Sequence, residues 1–493
     1  MLVLVIILAY FAVLLLIARL AGRRGDTSAA FFRGSNRSPW YVVSFGMIGA
    51  SISGVTFVSV PGMVRQMDMT YLQTVFGFFF GYLVVAHVLL PLYYRLNLTS
   101  IYAYLGTRLG QRSYRTGSFF FLLSRMLGTA AKLYLVCLIL HTYVFADAGI
   151  PFWPIAVGSV ALVWVYTHRS GIKTIVWTDS LQTFCLVAAL ALIIYYTVKE
   201  LGLDWSGIVG TVGESAHSRI FVLDDWMSRQ HFAKQFLSGI FIVVVMTGLD
   251  QDMMQKNLSC RDLRDAQKNM YCYGFAFIPL NFLLLALGVL LLALAGKQHI
   301  ALPPLGDDIL PMFATQGYLG QPVLVLFTIG IIAATFSNAD SALTAMTTSV
   351  CVDWLRTDRD DERVARHKRR RAHLALAALL ALSVCLVEAL GSQSVIDAIY
   401  VIASYTYGPL LGMFAFGLFT RRLPRDRWVP HVAVASPLLC YAISWWAERQ
   451  FGYKFGYELL MLNGTLTFAG LWAMSTNRKK YKEDGNNQCR IRD

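Results

Sequence analysis

The sequence predicts an all-α protein that crosses a membrane about thirteen times, and three observations carry that expectation. Of 493 residues, 56% are hydrophobic and only 15% charged. Apolar runs long enough to span a bilayer recur from residue 2 to about residue 474. The 43 Lys and Arg residues fall on alternate connecting segments instead of being spread evenly. A soluble chain of this composition would need a core larger than one domain allows.

Taken in order, the apolar runs are 2–20, 40–64, 71–94, 116–144, 151–167, 174–197, 237–254, 271–296, 321–352, 373–390, 396–419, 429–446 and 457–476. The first lacks a basic leader and a small-residue cleavage site and is followed by Arg23 and Arg24. It therefore reads as a retained span, not a signal peptide. With the N-terminus outside, the cytoplasmic segments hold 32 Lys and Arg residues and the external ones 8. The expectation is a multi-pass plasma-membrane protein, of a bacterial inner membrane, with its N-terminus outside and the basic tail 477–493 in the cytoplasm.

This topology accounts for the net charge of +14 through membrane lipid, with no nucleic-acid partner. Residues 198–236 form the largest external segment and are expected to hold short surface helices. Residues 356–371 read as a solvated basic loop. The eight cysteines contain no CxxC pair and the nine histidines are dispersed. Neither a disulfide framework, a zinc site nor an enzyme centre is expected, and no cofactor.

A polar side chain at membrane depth must face protein, water or a ligand. Three stretches place polar residues there in an ordered way. In "GASISGVTFVSVPG" (49–62), Gly49, Ile52, Ser53 and Thr56 recur on one helical face, while Gly46, Gly49 and Gly54 weaken the helix. Two readings stand open. The small residues let two helices approach closely, or the helix unwinds and offers backbone carbonyls to a hard cation.

In "AATFSNADSALTAMTTS" (333–349), Ser337, Asp340, Ser341, Thr344 and Thr348 form a stripe along three turns. A carboxylate at a span's centre costs about 2.5–3.5 kcal/mol on insertion scales, so Asp340 is expected to be functional, the alternative being a packing stripe with Asp340 near an aqueous vestibule. In "TIVWTDSLQTF" (174–184), Asp179 and Gln182 share a face. Asp179 could neutralise a cation, carry a proton or pair with an Arg. Arg125 lies ten residues beyond Arg115, about 15 Å into the bilayer. It needs an anionic partner, either Asp179, Asp340 or an anionic ligand. Lys132 lies near enough to the outer face to snorkel and is not counted in the site.

These stretches resemble the sodium/solute symporter family. "WTDSLQ" is similar to its fifth core-helix signature and "AATFSNADSALTA" to its eighth. "TGLDQDMMQK" (247–256), "SIYAYLGTRLG" (100–110) and "YGPLLGMFAFGLFTRR" (407–422) extend the likeness across nearly the whole chain. The resemblance implies a leucine-transporter-type core of two inverted five-helix repeats, 40–197 and 237–422. One helix (1–20) precedes this core and two (429–476) follow it.

The resemblance also implies import of sodium with a small organic solute by alternating access. The sodium ligands would be the backbone carbonyls of Gly49, Ile52 and Ala334 and the side chains of Ser337 and Asn338. Asp179 and Asp340 would serve a second sodium or the ion's exit, or carry protons if the coupling ion is a proton. Ser51, Ser53, Thr56, Arg125 and Gln251 would face the solute.

Three departures narrow the solute. Asn338 stands where the family has Ser or Thr. Thr56 stands where the galactose branch has Gln, and Val243 and Met246 where that branch has Asn and Tyr. The hydroxyls of the first core helix, with Arg125 for a carboxylate, resemble the sialic-acid branch. A carboxylate-bearing or polyhydroxylated solute is expected, with a sugar, amino acid or vitamin as the alternative. A channel would need charged rings around a continuous pore, and single buried charges do not supply them. A non-transporting membrane sensor is the other rival.

Overall fold

The computed structural model describes residues 9–16, 31–32, 38–145, 149–167, 171–390 and 395–476. Residues 9–16 of the expected first span are helical, while its remainder and the tail 477–493 lie outside the described residues. The major helices are α1 Trp40–Ser51, α2 Gly54–Met67, α3 Tyr71–Val84, α4 Gln111–Ile139, α5 Phe152–Thr167, α6 Gly171–Leu201 and α7 Phe232–Val243. They continue as α8 Gln251–Leu258, α9 Leu263–Gln298, α10 Gln321–Ser349, α11 Glu362–Leu390, α12 Val395–Phe419, α13 Val429–Phe451 and α14 Leu459–Ala473.

Each expected span from 40–64 onward coincides with one of these helices or with a bent pair. Among the described residues, seven helices are long and apolar enough to cross a membrane, or nine with each bent pair taken as one span. The chain is a multi-pass membrane protein. Its helices fold as predicted because hydrocarbon forces every backbone amide into an internal hydrogen bond.

Two spans break that rule, and both breaks sit where the chain can tolerate them. α1 and α2 meet at 57°, and α7 and α8 at 66°. They open the first and second halves expected from the resemblance. At the first break Ile52 (φ −78°, ψ 76°) and Ser53 (φ −67°, ψ 166°) leave the helix. The ladder stops at Ile52 N–Ile48 O (2.9 Å) and resumes at Phe57 N–Ser53 O (3.0 Å). Ser53 caps α2 by accepting from Thr56 N at 3.5 Å. The carbonyls of residues 49–52 therefore lie past the end of the α1 ladder.

The unwinding uses no left-handed glycine: neither Gly49 nor Gly54 has a positive φ. These glycines do different work. A Cβ on Gly49 would collide with Thr183 of α6, and one on Gly54 with Thr335 of α10. Small residues thus bring the broken helix into contact with both partners, so the packing reading holds for them while the break itself belongs to Ile52 and Ser53.

The second break is filled by protein. Val244–Gly248 form a π turn, and Asp250 caps α8 by accepting from Asp252 N (2.9 Å) and Met253 N (3.3 Å). Tyr93 donates to Gly248 O and Tyr102 to Leu249 O, each at 2.9 Å. Freed carbonyls are answered there by phenol hydroxyls.

α6 packs most extensively on α10 and α1, which places the Asp179 segment between the broken helix and the polar stripe. One expectation is corrected: 356–371 is not simply a solvated loop. α11 begins at Glu362, and Arg369 is buried with its guanidinium 4.5 Å over the Phe31 ring. Residues 198–236, expected to lie outside, carry the short helix Trp205–Gly213.

Gly49→Ala should lower stability by about 1–3 kcal/mol through overpacking against α6. Adding Thr183→Ala should recover part of it, because the hydroxyl is among the atoms struck. Thermal unfolding of the detergent-purified protein in sodium-free buffer checks both.

Candidate functional site

The first break opens onto a cavity of about 90 Å³, lined by Ser51, Ser53 and Thr56 of the bent pair, Lys132 of α4 and Asn338 of α10. That volume suits on the order of six to nine water-sized groups. Phe78, Ile242, Val243, Met246 and Phe277 supply an apolar side. A pocket with an apolar wall and a few convergent polar groups is the usual form of a small-molecule site.

The hydroxyls are already organised. Tyr82 donates to Tyr273 Oη at 2.9 Å, and the Tyr273 hydroxyl shares a hydrogen bond with Ser51 Oγ. Ser53 Oγ lies 3.4 Å from Thr56 Oγ1. Four of the five solute-facing residues expected from the sequence, Ser51, Ser53, Thr56 and Arg125, therefore line the cavity together. Tyr82 and Tyr273 were missed, since a Tyr in an apolar run is indistinguishable from core until the fold joins α3 to α9.

Asn338 sits at the junction of the expected ion site. Its Nδ2 donates to the Ala50 carbonyl of the broken helix, and its Oδ1 accepts from Lys132 Nζ at 3.2 Å. Ser337 donates to Asp179 Oδ1 at 2.6 Å. Ile52 and Ala334 are buried at the same helix junction. Neutral hydroxyl, amide and carbonyl oxygens are the donor set a hard monovalent cation prefers.

Two expected site residues do something else. Gln251 is fully buried but does not line the cavity: its amide accepts from Ile101 N (3.0 Å) and donates to Thr99 O (2.8 Å). It ties α8 to the turn before residues 103–108. Arg125 edges the cavity, yet its guanidinium pairs with Asp252 and lies 3.6 Å from Asp250 Oδ2. Neither expected partner, Asp179 nor Asp340, holds it.

Asp179 pairs instead with Lys256, Nζ–Oδ2 2.8 Å, and Lys256 also lies 3.9 Å from Asp252. Lys256 was placed by sequence just past the end of a span, among the basic loop charges, and it is buried. Asp340 accepts from Tyr166 (2.9 Å) and Ser341 (3.2 Å). Lys132 does not snorkel to an outer face: its ammonium turns into the cavity. Together Asp250, Arg125, Asp252, Lys256 and Asp179 form a buried chain of alternating charges.

A helix broken beside a cavity, facing a polar stripe on a second helix, is the architecture of a secondary transporter with a leucine-transporter-type fold. The model of the sodium:solute symporter family matches residues 31–426, and the chain belongs to that family. It is 24% identical to the sodium/sialic acid symporter NanT of Aliivibrio fischeri over 438 residues, 84% of this chain and 82% of that one.

It is 27% identical to the sodium-dependent multivitamin transporter of Oryctolagus cuniculus over 76% of this chain. It is 24% identical to human sodium-coupled monocarboxylate transporter 1 over 81% of this chain. The matches span 59% and 65% of those two proteins' own lengths. The fold is similar to a Na+-coupled sialic acid symporter in a substrate-bound outward-open state, with TM-score 0.80, 20% identity and coverage of 96% and 97% of the two chains. It is also similar to Mhp1, a nucleobase-cation-symport-1 family transporter, at TM-score 0.54 and 15% identity over 89% and 92%.

Lys256→Met should cost about 3–5 kcal/mol by stranding the Asp179 carboxylate in a buried site. Asp179→Asn combined with Lys256→Met should recover much of that loss. Thermal unfolding of the three variants checks this, and additive losses in the double variant would show that the two groups do not act as a pair.

Proposed function

We propose that the chain imports a small carboxylate-bearing solute together with sodium, by alternating access. The observation that carries this reading is the cavity at the first break. There one amide, Asn338, touches both the broken helix and a free-ended cation, Lys132. Sodium binds the carbonyls of Gly49, Ile52 and Ala334 with Ser337 and Asn338, and so holds α1 and α2 against α10. The solute lies beside it on Ser51, Ser53 and Thr56, with its apolar part against Phe78 and Phe277. Each ligand orders groups the other uses, so each raises the other's affinity. The inward membrane potential adds about 2.3 kcal/mol per charge per 100 mV to the drive.

Several features support a carboxylate over a neutral sugar. Lys132 points into the cavity with no carboxylate among its hydrogen-bond partners. Val243 and Met246 line the wall where a polar hexose contact would be needed. Among the relatives, the sialic acid symporter and the monocarboxylate transporter are both named for acids. The same proposal places repeats at 40–197 and 237–422, and the protein in the plasma membrane with its N-terminus outside. Asp179, released from Lys256, lies on the ion's exit, with Asp340 behind it.

Uptake into proteoliposomes of radiolabelled N-acetylneuraminate, pyruvate, glucose and proline, with and without an inward sodium gradient, tests the reading. Sodium-driven uptake of an acid is expected. Uptake of glucose or proline alone would overturn the solute class, and uptake driven by a proton gradient without sodium would overturn the ion. Ser337→Ala should abolish the sodium stimulation while leaving the protein folded; full sodium dependence in that variant would refute the ion-site assignment.

A further inference from the structure

Asn338 Oδ1 is the atom the ion site needs, and in the structure a lysine is already on it. The orientation of the amide is fixed by chemistry. The Ala50 carbonyl can only accept and the Lys132 ammonium can only donate, so Nδ2 must face the first and Oδ1 the second. A sodium ion on Oδ1 would lie against the ammonium, at a separation where two like charges away from bulk water repel strongly. Ammonium and sodium therefore exclude each other at this oxygen.

The lysine has somewhere else to go. Lys132 lines the cavity with Ser51, Ser53 and Thr56, on a long flexible stem. Its neighbour on α4, Arg125, has no such freedom, being held by Asp252 and Asp250. An anion entering the cavity thus meets one mobile cation, and drawing that cation toward itself uncovers Asn338 Oδ1.

We propose that Lys132 is a tethered internal cation that occupies the Asn338 ligand position until an anionic solute draws it away, so that sodium binds tightly only with the anion present. This rests on the reading of the chain as a sodium-coupled carboxylate importer. It adds what that reading lacks, a physical reason for the obligatory pairing. A transporter that closed around sodium alone would dissipate the gradient without moving solute. Lys132 suppresses that step by competing with the ion at the site itself.

The test measures binding of radiolabelled sodium to the full-length protein in detergent, alone and with N-acetylneuraminate or pyruvate. In the wild type, sodium alone should bind weakly, and whichever acid is the solute should tighten it about tenfold or more. Lys132→Gln should tighten sodium binding in the absence of acid by a similar factor and remove the effect of the acid. Asn338→Ala, which removes the oxygen that both cations use, should leave sodium weakly bound with and without the acid.

Lys132→Arg guards against a variant that merely misfolds: it keeps the charge and should keep the dependence on acid. If Lys132→Gln binds sodium as weakly as the wild type, with coupling to the acid intact, the proposal fails and the importer reading survives. If the wild type binds neither sodium nor any acid, both fail.

Discussion

A break in a membrane helix is tolerable only where something other than lipid meets the freed carbonyls, and the architecture here is arranged around that requirement. At the second break, tyrosine hydroxyls from residues 93 and 102 meet the carbonyls of Gly248 and Leu249, so this bend is closed with protein. At the first break, among the described residues, only Ala50 receives a side-chain donor, the Asn338 amide. The two bends are the same device with opposite outcomes: one is filled by protein, the other opens onto a cavity. The difference lies in what the neighbouring helices present, bulky phenols in one case and small residues and a cavity in the other.

Much of the site was legible because lipid restricts what a span can carry. The stripe on α10, the interruption before Gly54 and the isolated Asp179 each violate apolar periodicity, and each proved to face protein or the cavity. The two lysines were misread for one shared reason, that depth was measured along a straight helix. A straight span over 237–254 puts Lys256 outside the membrane. The π turn at Val244–Gly248 and the 66° bend turn α8 aside instead, and the side chain stays buried against Asp179. Lys132 was assigned to the surface by counting residues, but a long side chain near a helix end can turn inward as readily as outward when a polar cavity lies there. Asp252 lay inside the quoted stretch 247–256 but was given no role from the sequence. Its role exists only because Arg125, 127 residues away in sequence, reaches it across the bundle.

The buried charges also explain why glycine contacts recur around α6. Ion pairs at this depth hold only with close geometry, since the desolvation of each group is costly. Gly46 lets α1 come within contact of Asp179, and Gly49 does the same at Thr183 one turn along. That proximity puts Asp179 within reach of both Ser337 and Lys256. Close packing by the small residues and the buried ion pair of Asp179 thus meet on the same stretch of α6.

The buried charges of this region, of which Arg125 and Lys132 line the cavity, do not cancel. Arg125, Lys132 and Lys256 face Asp179, Asp250, Asp252 and Asp340, so with all seven ionised the set carries one negative charge in excess. Asp340 is the member met by hydroxyls, those of Tyr166 and Ser341, in place of a cation. It lies one turn from Ser337 on α10, the helix expected to supply the ion's side-chain ligands. A monovalent cation bound there would bring the set to neutrality, the state a low-dielectric interior tolerates best.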